Sequence, residues 1–246
     1  MDSNITKKKF AKREYIYRKR IPYGMMNFVT VRERNCYYVD KTPFIEEIEN
    51  SNMYFFYIRP RRFGKSLTLS MLKQYYDINM ADRFEELFGG LYIGENPTPE
   101  HNTYLIISLN FAVVDANLEN YKKGLDAHCN TEFNYFCDVY AQYLPANLKE
   151  EMNKKDGAAE QLDYLCKECK KTGQKVYLFI DEYDHFTNTI LAEPDCLNSY
   201  QAETHGTGYL RKFFDTIKSA TDSTLERVFV TGVSPVTMDD LTSGFN

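Results

Sequence analysis

Four short apolar runs, set apart by long connections, constrain this chain more than any other feature. Met53 to Ile58, Tyr104 to Phe111, Lys175 to Asp181 and Arg227 to Thr231 are rich in β-branched and aromatic residues. Such runs read as strands buried on both faces. The connections carry helical periodicity instead. Leu162, Leu165, Cys166 and Cys169 follow the i, i+3, i+4, i+7 spacing of one helix face, and Leu210, Phe213, Phe214 and Ile217 repeat it. Gly173 is placed to stop the first of these helices. Thr42-Pro43 offers an N-cap and a first-turn proline for a helix running to about Asn50. Strand, long crossover, strand predicts a parallel α/β sheet.

The first apolar run ends in Arg59-Pro60-Arg61-Arg62-Phe63-Gly64-Lys65-Ser66, and a helix is expected from Ser66 through Lys73. A phosphate-cradling loop reads Gly, four residues, Gly-Lys-Ser/Thr, between a strand and a helix. The context matches, but Arg59 stands where the first glycine belongs. The later elements carry the chemistry. Gly64 lets the backbone approach an anion, Lys65 brings charge to the β/γ-phosphates, and Ser66 offers a hydroxyl to Mg2+ at a helix N-terminus.

The third run ends in two adjacent carboxylates, Asp181 and Glu182. At the end of a strand both reach the crevice above the carboxyl edge of a sheet. Asp181 is expected to support Mg2+ through its water shell, and Glu182 to orient or deprotonate a water attacking the γ-phosphate. The alternative is a pair of solvated acids closing a strand. Thr231, ending the fourth run, either senses the γ-phosphate and the attacking water or bonds locally.

Size and charge bound the rest. A chain of 246 residues that is 43% hydrophobic buries one sizeable core, or at most two small ones. No run approaches the roughly 18 apolar residues of a membrane span, and an apolar leader is absent from the N-terminal stretch, so a cytoplasmic location is expected. Six cysteines then stay as thiols whose default role is packing. The net charge of −5 conceals an asymmetry: residues 1 to 20 carry eight Lys/Arg against two acids, while the remaining 226 carry 22 basic against 33 acidic side chains. That basic tail either lies on its acidic body or grips a nucleic-acid backbone. Internal repeats and low-complexity linkers are absent.

Taken together, Tyr38-Val39-Asp40-Lys41-Thr42, the segment Arg59 to Ser66, Asp181-Glu182-Tyr183-Asp184 and Thr231-Gly232-Val233-Ser234-Pro235-Val236 resemble the AAA-ATPase-like family of bacterial ATPases. The resemblance spans residues 21 to 246, after the tail of residues 1 to 20. It implies an α/β P-loop three-layer sandwich with a mainly parallel sheet ordered 5-1-4-3-2. It also implies ATP and Mg2+ as ligands, hydrolysis of ATP, and frequent fusion to a restriction-endonuclease-like effector. Because the family's own loop carries arginine and proline in place of the first glycine, Arg59 ceases to be an objection. Nucleotide contacts are then expected from Arg61, Arg62, Phe63, Gly64, Lys65, Ser66 and Leu67, metal contacts from Ser66 and Asp181, and catalysis from Glu182, Lys65 and Thr231.

Arg59 is expected to shape the loop, while Arg61 and Arg62 either shape it or stabilise phosphate charge. Tyr38 and Lys41 either approach the adenine or serve as caps and packing. Against the family pattern, a fifth strand and a helical lid are expected to be missing after Asn246. The segment Tyr37 to Asp40 is then the nearest cover for the open edge of the first strand. A nucleotide-binding switch with little hydrolysis remains an alternative to an ATPase.

Three further patterns read as bland. Asn153-Lys154-Lys155-Asp156 has the letters of a guanine-reading motif but follows a polar helical stretch instead of a late strand. Cys166 and Cys169 have metal-like spacing without a second pair, and both fall on an apolar helix stripe. Phe136, Val139, Tyr140 and Tyr143 fit a core-facing helix side, and the four histidines form no metal spacing.

Overall fold

All four apolar runs are strands in the computed structural model, which describes residues 19–114, 121–185 and 208–234. The strands are β1 (Tyr54–Ile58), β2 (Tyr104–Asn110), β3 (Lys175–Asp181) and β4 (Arg227–Gly232). They form one sheet in the order β1-β4-β3-β2, and every pair is parallel. Val176 to Ile180 of β3 are at most 1% exposed, which is why that run is apolar without alternation.

Helices cover both faces. On one side lie α1 (Phe28–Glu33), α2 (Phe44–Glu49), α3 (Lys65–Tyr76), α4 (Phe84–Phe88) and α5 (Tyr92–Glu95), packed on Tyr104, Tyr177, Phe179 and Phe229. On the other lie α6 (Tyr121–Val139), α7 (Leu148–Asn153), α8 (Gly157–Lys171) and α9 (Tyr209–Thr221), packed on Leu105, Ile107, Leu109, Leu178, Ile180 and Val230. The result is the three-layer sandwich of a P-loop-like α/β protein. Both helix stripes expected from sequence are in the core: Leu162, Leu165, Cys166, Cys169, Leu210, Phe213, Phe214 and Ile217 are all buried. Each such aliphatic or aromatic side chain contributes roughly 1.5–3 kcal/mol by leaving water.

The stop of α8 is the one Gly173 predicts. Gly173 is left-handed (φ 74°), its N–H donates to Lys170 O at 3.0 Å, and Gln174 N–H donates to Cys169 O at 2.9 Å. These are the two bonds of a Schellman cap. The open edge of β2 is covered by side chains of the α6 region: Ile106 N–H donates to Tyr140 Oη at 3.1 Å, and Asn110 N–H to His128 Nε2 at 3.2 Å. That arrangement satisfies outward amides that an edge strand otherwise offers to another chain.

Three local expectations need correction. Thr42 does not cap α2 with its side chain; its hydroxyl donates to Asp40 at 2.7 Å and accepts from Ile93 N–H at 3.2 Å, because a tertiary partner outcompetes the local cap. Val139 is 36% exposed, since the buried stripe of α6 runs through Tyr121, Leu125, Cys129, Phe133 and Phe136, a phase that excludes it. The segment Tyr37 to Asp40 adds no strand to β1, which is an edge strand among the described residues. Tyr38 instead packs edge-on against Phe28 with ring centres 5.3 Å apart, while Tyr37 and Val39 are exposed.

The bland patterns behave as packing and surface. Cys166 and Cys169 are fully buried, and burial pushes the Cys166 thiol up to about 12. Asn153 ends α7, where its amide bonds Asn134 at 2.8 Å, and Lys154 pairs with Glu151 at 2.8 Å. Among the described residues no group of three or more His, Cys, Asp and Glu side chains is placed to hold a metal ion, and no helix is long and apolar enough to cross a membrane. Cys196, His205 and the basic tail up to residue 18 lie outside the described residues.

Candidate functional site

The chain leaves β1 at Ile58 and enters α3 at Lys65. Arg59 stays with the sheet: its N–H donates to Gly232 O at 3.2 Å, its guanidinium donates to Ile58 O at 2.8 Å, and it lies 5.0 Å over the Tyr57 ring. Its charge is therefore occupied at the strand end, and it shapes the loop. Arg62 (φ 69°) and Gly64 (φ 79°) are both left-handed, and the second forms the N-terminal boundary of α3. Lys65 is 5% exposed and spans the loop, its Nζ donating to Arg59 O at 3.0 Å and Pro60 O at 3.4 Å. A 12-residue helix starting here presents unpaired amides and the positive end of its dipole to the loop. Arg61 and Arg62 are exposed and make no hydrogen bond or ion pair among the described residues.

A cleft of about 640 Å³ opens at this point, within the size range of small-molecule sites. One wall is the loop and helix start: Arg61, Arg62, Gly64, Lys65, Ser66 and Leu67. Glu182 lines it from the end of β3, and residues Pro22 to Met26 close a third side. Phe63 is 60% exposed and does not line the cleft. Of the seven nucleotide contacts expected from sequence, the structure thus brings six together.

The carboxylates divide by geometry. Asp181 alternates with Phe179 and Tyr177, so it faces the α3 layer. It is 8% exposed; its Oδ1 accepts the Thr231 hydroxyl and, at 3.1 Å, the Glu182 N–H. Thr231 is fully buried, so its hydroxyl acts on Asp181 and does not reach the cleft directly. Glu182 follows in the left-handed region (φ 54°), a conformation that costs a non-glycine residue about 1–2 kcal/mol. That turn takes Glu182 out of the strand's alternation and brings it to the cleft. Strain of this kind persists only where the surroundings impose it.

The imposing contacts come from the next two residues. Tyr183 is buried and its hydroxyl donates to Ser234 O at 2.6 Å; Asp184 Oδ2 accepts Val233 N–H at 3.0 Å and Ser234 N–H at 2.6 Å. Gly232 makes this possible, because a Cβ there would lie 2.3 Å from Tyr183 Cε1. The strand ends of β3 and β4 are therefore locked together beneath the cleft.

The family model described as Predicted AAA-ATPase matches residues 22–242. The chain belongs to the AAA-ATPase-like family. It is also similar to a protein of Azotobacter chroococcum mcd 1 described as "Uncharacterized protein in vnfD 5'region", with 29% identity over 233 residues. That alignment takes in 93% of this chain and 40% of the relative, so the chain spans well under half of that protein's length. No solved structure matches. In this AAA-ATPase-like chain the backbone at position 59, where a phosphate loop has its first glycine, continues the strand ladder to Gly232.

Sequence reasoning missed two parts of the site. Pro22 to Met26 form a cleft wall although their apolar side chains carry no motif. Lys73, eight residues after Lys65 on α3, donates to Ser108 Oγ at 3.1 Å and lies within electrostatic reach of Asp181 and Glu132. Burial pulls its ammonium below the ordinary lysine range while those two acids oppose the shift. Nothing local marks Lys73, since Ser66, Thr68, Ser70 and Gln74 make α3 polar at several other positions too.

Proposed function

We propose that this chain binds ATP with Mg2+ in the cleft above α3 and hydrolyses it, using the cycle to drive or gate a partner or an effector elsewhere on a longer polypeptide. One observation carries the reading: Lys65, Ser66 and Glu182 line the same cleft, at the start of a helix whose N-terminus favours phosphate. Lys65 presents its ammonium to the β/γ-phosphates, and the amides of the first turn of α3 hold the phosphate oxygens. Arg61 and Arg62 supply further positive charge at the cleft rim.

Glu182 accepts a proton from water as the water oxygen bonds to the γ-phosphorus and ADP leaves with the bridging oxygen. The left-handed turn at Glu182 keeps that carboxylate in the cleft. Ser66, which lines the cleft, and Asp181, whose Oδ2 makes no hydrogen bond among the described residues, are oxygen donors of the kind magnesium prefers and would hold it, so the donor chemistry fits a hard cation. When bound, Mg2+ would neutralise phosphate charge. Thr231 positions Asp181 through its hydroxyl bond and takes no direct part.

Replacement of Lys65 by Ala should abolish ATP binding measured by calorimetry while leaving the circular dichroism spectrum intact. Unchanged ATP affinity in that variant would place the site elsewhere.

A further inference from the structure

Lys41 is remote from the phosphate loop in sequence and adjacent to it in space. A Cβ built on Gly64 would lie 3.5 Å from Lys41 Nζ. The backbone on either side of Lys41 is fixed. The Asp40 carboxylate accepts the N–H groups of Thr42 and Tyr92, each at 2.8 Å, and Lys41 O accepts Phe44 N–H at 3.2 Å. Yet the ammonium itself makes no hydrogen bond or ion pair among the described residues. Glu47 lines the same groove and is not paired with it. A cation anchored at its root and unpaired at its tip, beside a loop built for anions, lacks only the anion.

The neighbouring cavity shows which part of the anion Lys41 would meet. A slot of about 270 Å³ lies beside Lys41, walled by Tyr37, Tyr38, Val39, Leu67 and Thr68. Its lining is mainly apolar, and it shares Pro22, Gly64 and Leu67 with the phosphate cleft. A nucleotide with its base in this slot and its terminal phosphates over Lys65 must pass Gly64, where the Lys41 ammonium stands. We propose that Lys41 is a second phosphate-binding lysine, contacting the α- and β-phosphates. This rests on the nucleotide reading of the cleft, and it moves Lys41 from the base to the phosphate chain.

A ligand series tests it on the full chain: adenosine, AMP, ADP and ATP titrated calorimetrically, with competition for the weak binders, into wild type, Lys41→Met and Lys41→Arg. A charge-assisted contact of this kind is worth about tenfold or more in affinity. Lys41→Met should weaken ADP and ATP by at least that factor, AMP by less, and adenosine hardly at all; Lys41→Arg should retain most of the affinity. Equal weakening of adenosine and ATP would make Lys41 a base contact and overturn the assignment. So would unchanged ADP affinity with the fold intact by circular dichroism, or a loss confined to ATP, which would place the ammonium at the γ-phosphate. If wild-type protein bound neither ADP nor ATP, the nucleotide reading would fail and this one with it.

Discussion

Gly232→Ala is a one-carbon change that should disturb the site from beneath. The added Cβ would lie 2.3 and 2.5 Å from Tyr183 Cε1 and Cδ1, and 2.8 Å from Asp184 Oδ1. Ordinary carbon contacts begin near ~3.5 Å, so the ring must move by about 1 Å or the strand ends must part. Neither move is free, because Tyr183 is fully buried and bonded to Ser234 O, and Asp184 holds two amides of the segment following β4. Overpacking of this kind costs about 1–3 kcal/mol. Loosening the two charge-assisted amide bonds brings the total to about 3 kcal/mol. For a domain of this size that is roughly 6–12 °C in Tm. Thermal melting followed by circular dichroism measures it. Gly173→Ala is the control: its φ is 74° but nothing lies within 4 Å of the added carbon, so only backbone strain of about 1 kcal/mol is expected. Because Glu182 precedes Tyr183, turnover in Gly232→Ala should fall further than ATP affinity. A Gly232→Ala protein melting within about 1 °C of wild type would refute the packing argument.

Two other perturbations test the frame that holds the site. Arg227 donates two bonds to Glu100, both at 2.8 Å, and one to Glu49 O at 3.0 Å, tying β4 to α2 and to the segment before β2. Both partners are mostly buried, so Arg227→Met should cost about 2–4 kcal/mol, and a melt unchanged within error would show that the pair contributes nothing net. His128 accepts Asn110 N–H through Nε2 and so must be neutral; burial holds its pKa below 6.5, with Glu132 opposing. Its contribution to stability is therefore full above the unfolded value and is lost as pH falls from about 6.5 through the folded value. Denaturant melts of His128→Gln, which keeps an acceptor, should lose stability less steeply than wild type between about pH 7 and 5; parallel profiles would contradict the assignment.

The sheet was legible in the sequence because buried parallel strands leave unbroken apolar runs, and all four runs became strands within a residue or two. α8 and α9 were legible because each has one apolar stripe against one sheet face. The phase of α6 is hard to read at Val139, since the buried stripe is marked by cysteines as much as by large apolar residues and Val139 stands just outside it, at the helix end. Of the site, the parts with local chemistry were readable: a glycine needing positive φ, a lysine, a serine, two acids. What depended on tertiary meeting was not. The Thr42 hydroxyl turned from its helix to Ile93, the wall at Pro22 to Met26 carries no motif, and the position of Lys41 Nζ beside Gly64 depends on how α2 is hung on α5.

In the proposed reaction Glu182 handles the attacking water while the α3 N-terminus handles the phosphates of ATP. Glu182→Gln separates the two roles, because the amide keeps the size of the carboxylate and loses its basicity. Single-turnover hydrolysis and equilibrium binding of ATP should be measured side by side on wild type and this variant. In Glu182→Gln, ATP affinity should stay within about threefold of wild type while hydrolysis slows by about 100-fold or more. Equal hydrolysis rates in the two proteins would remove Glu182 from the chemistry and contradict the account.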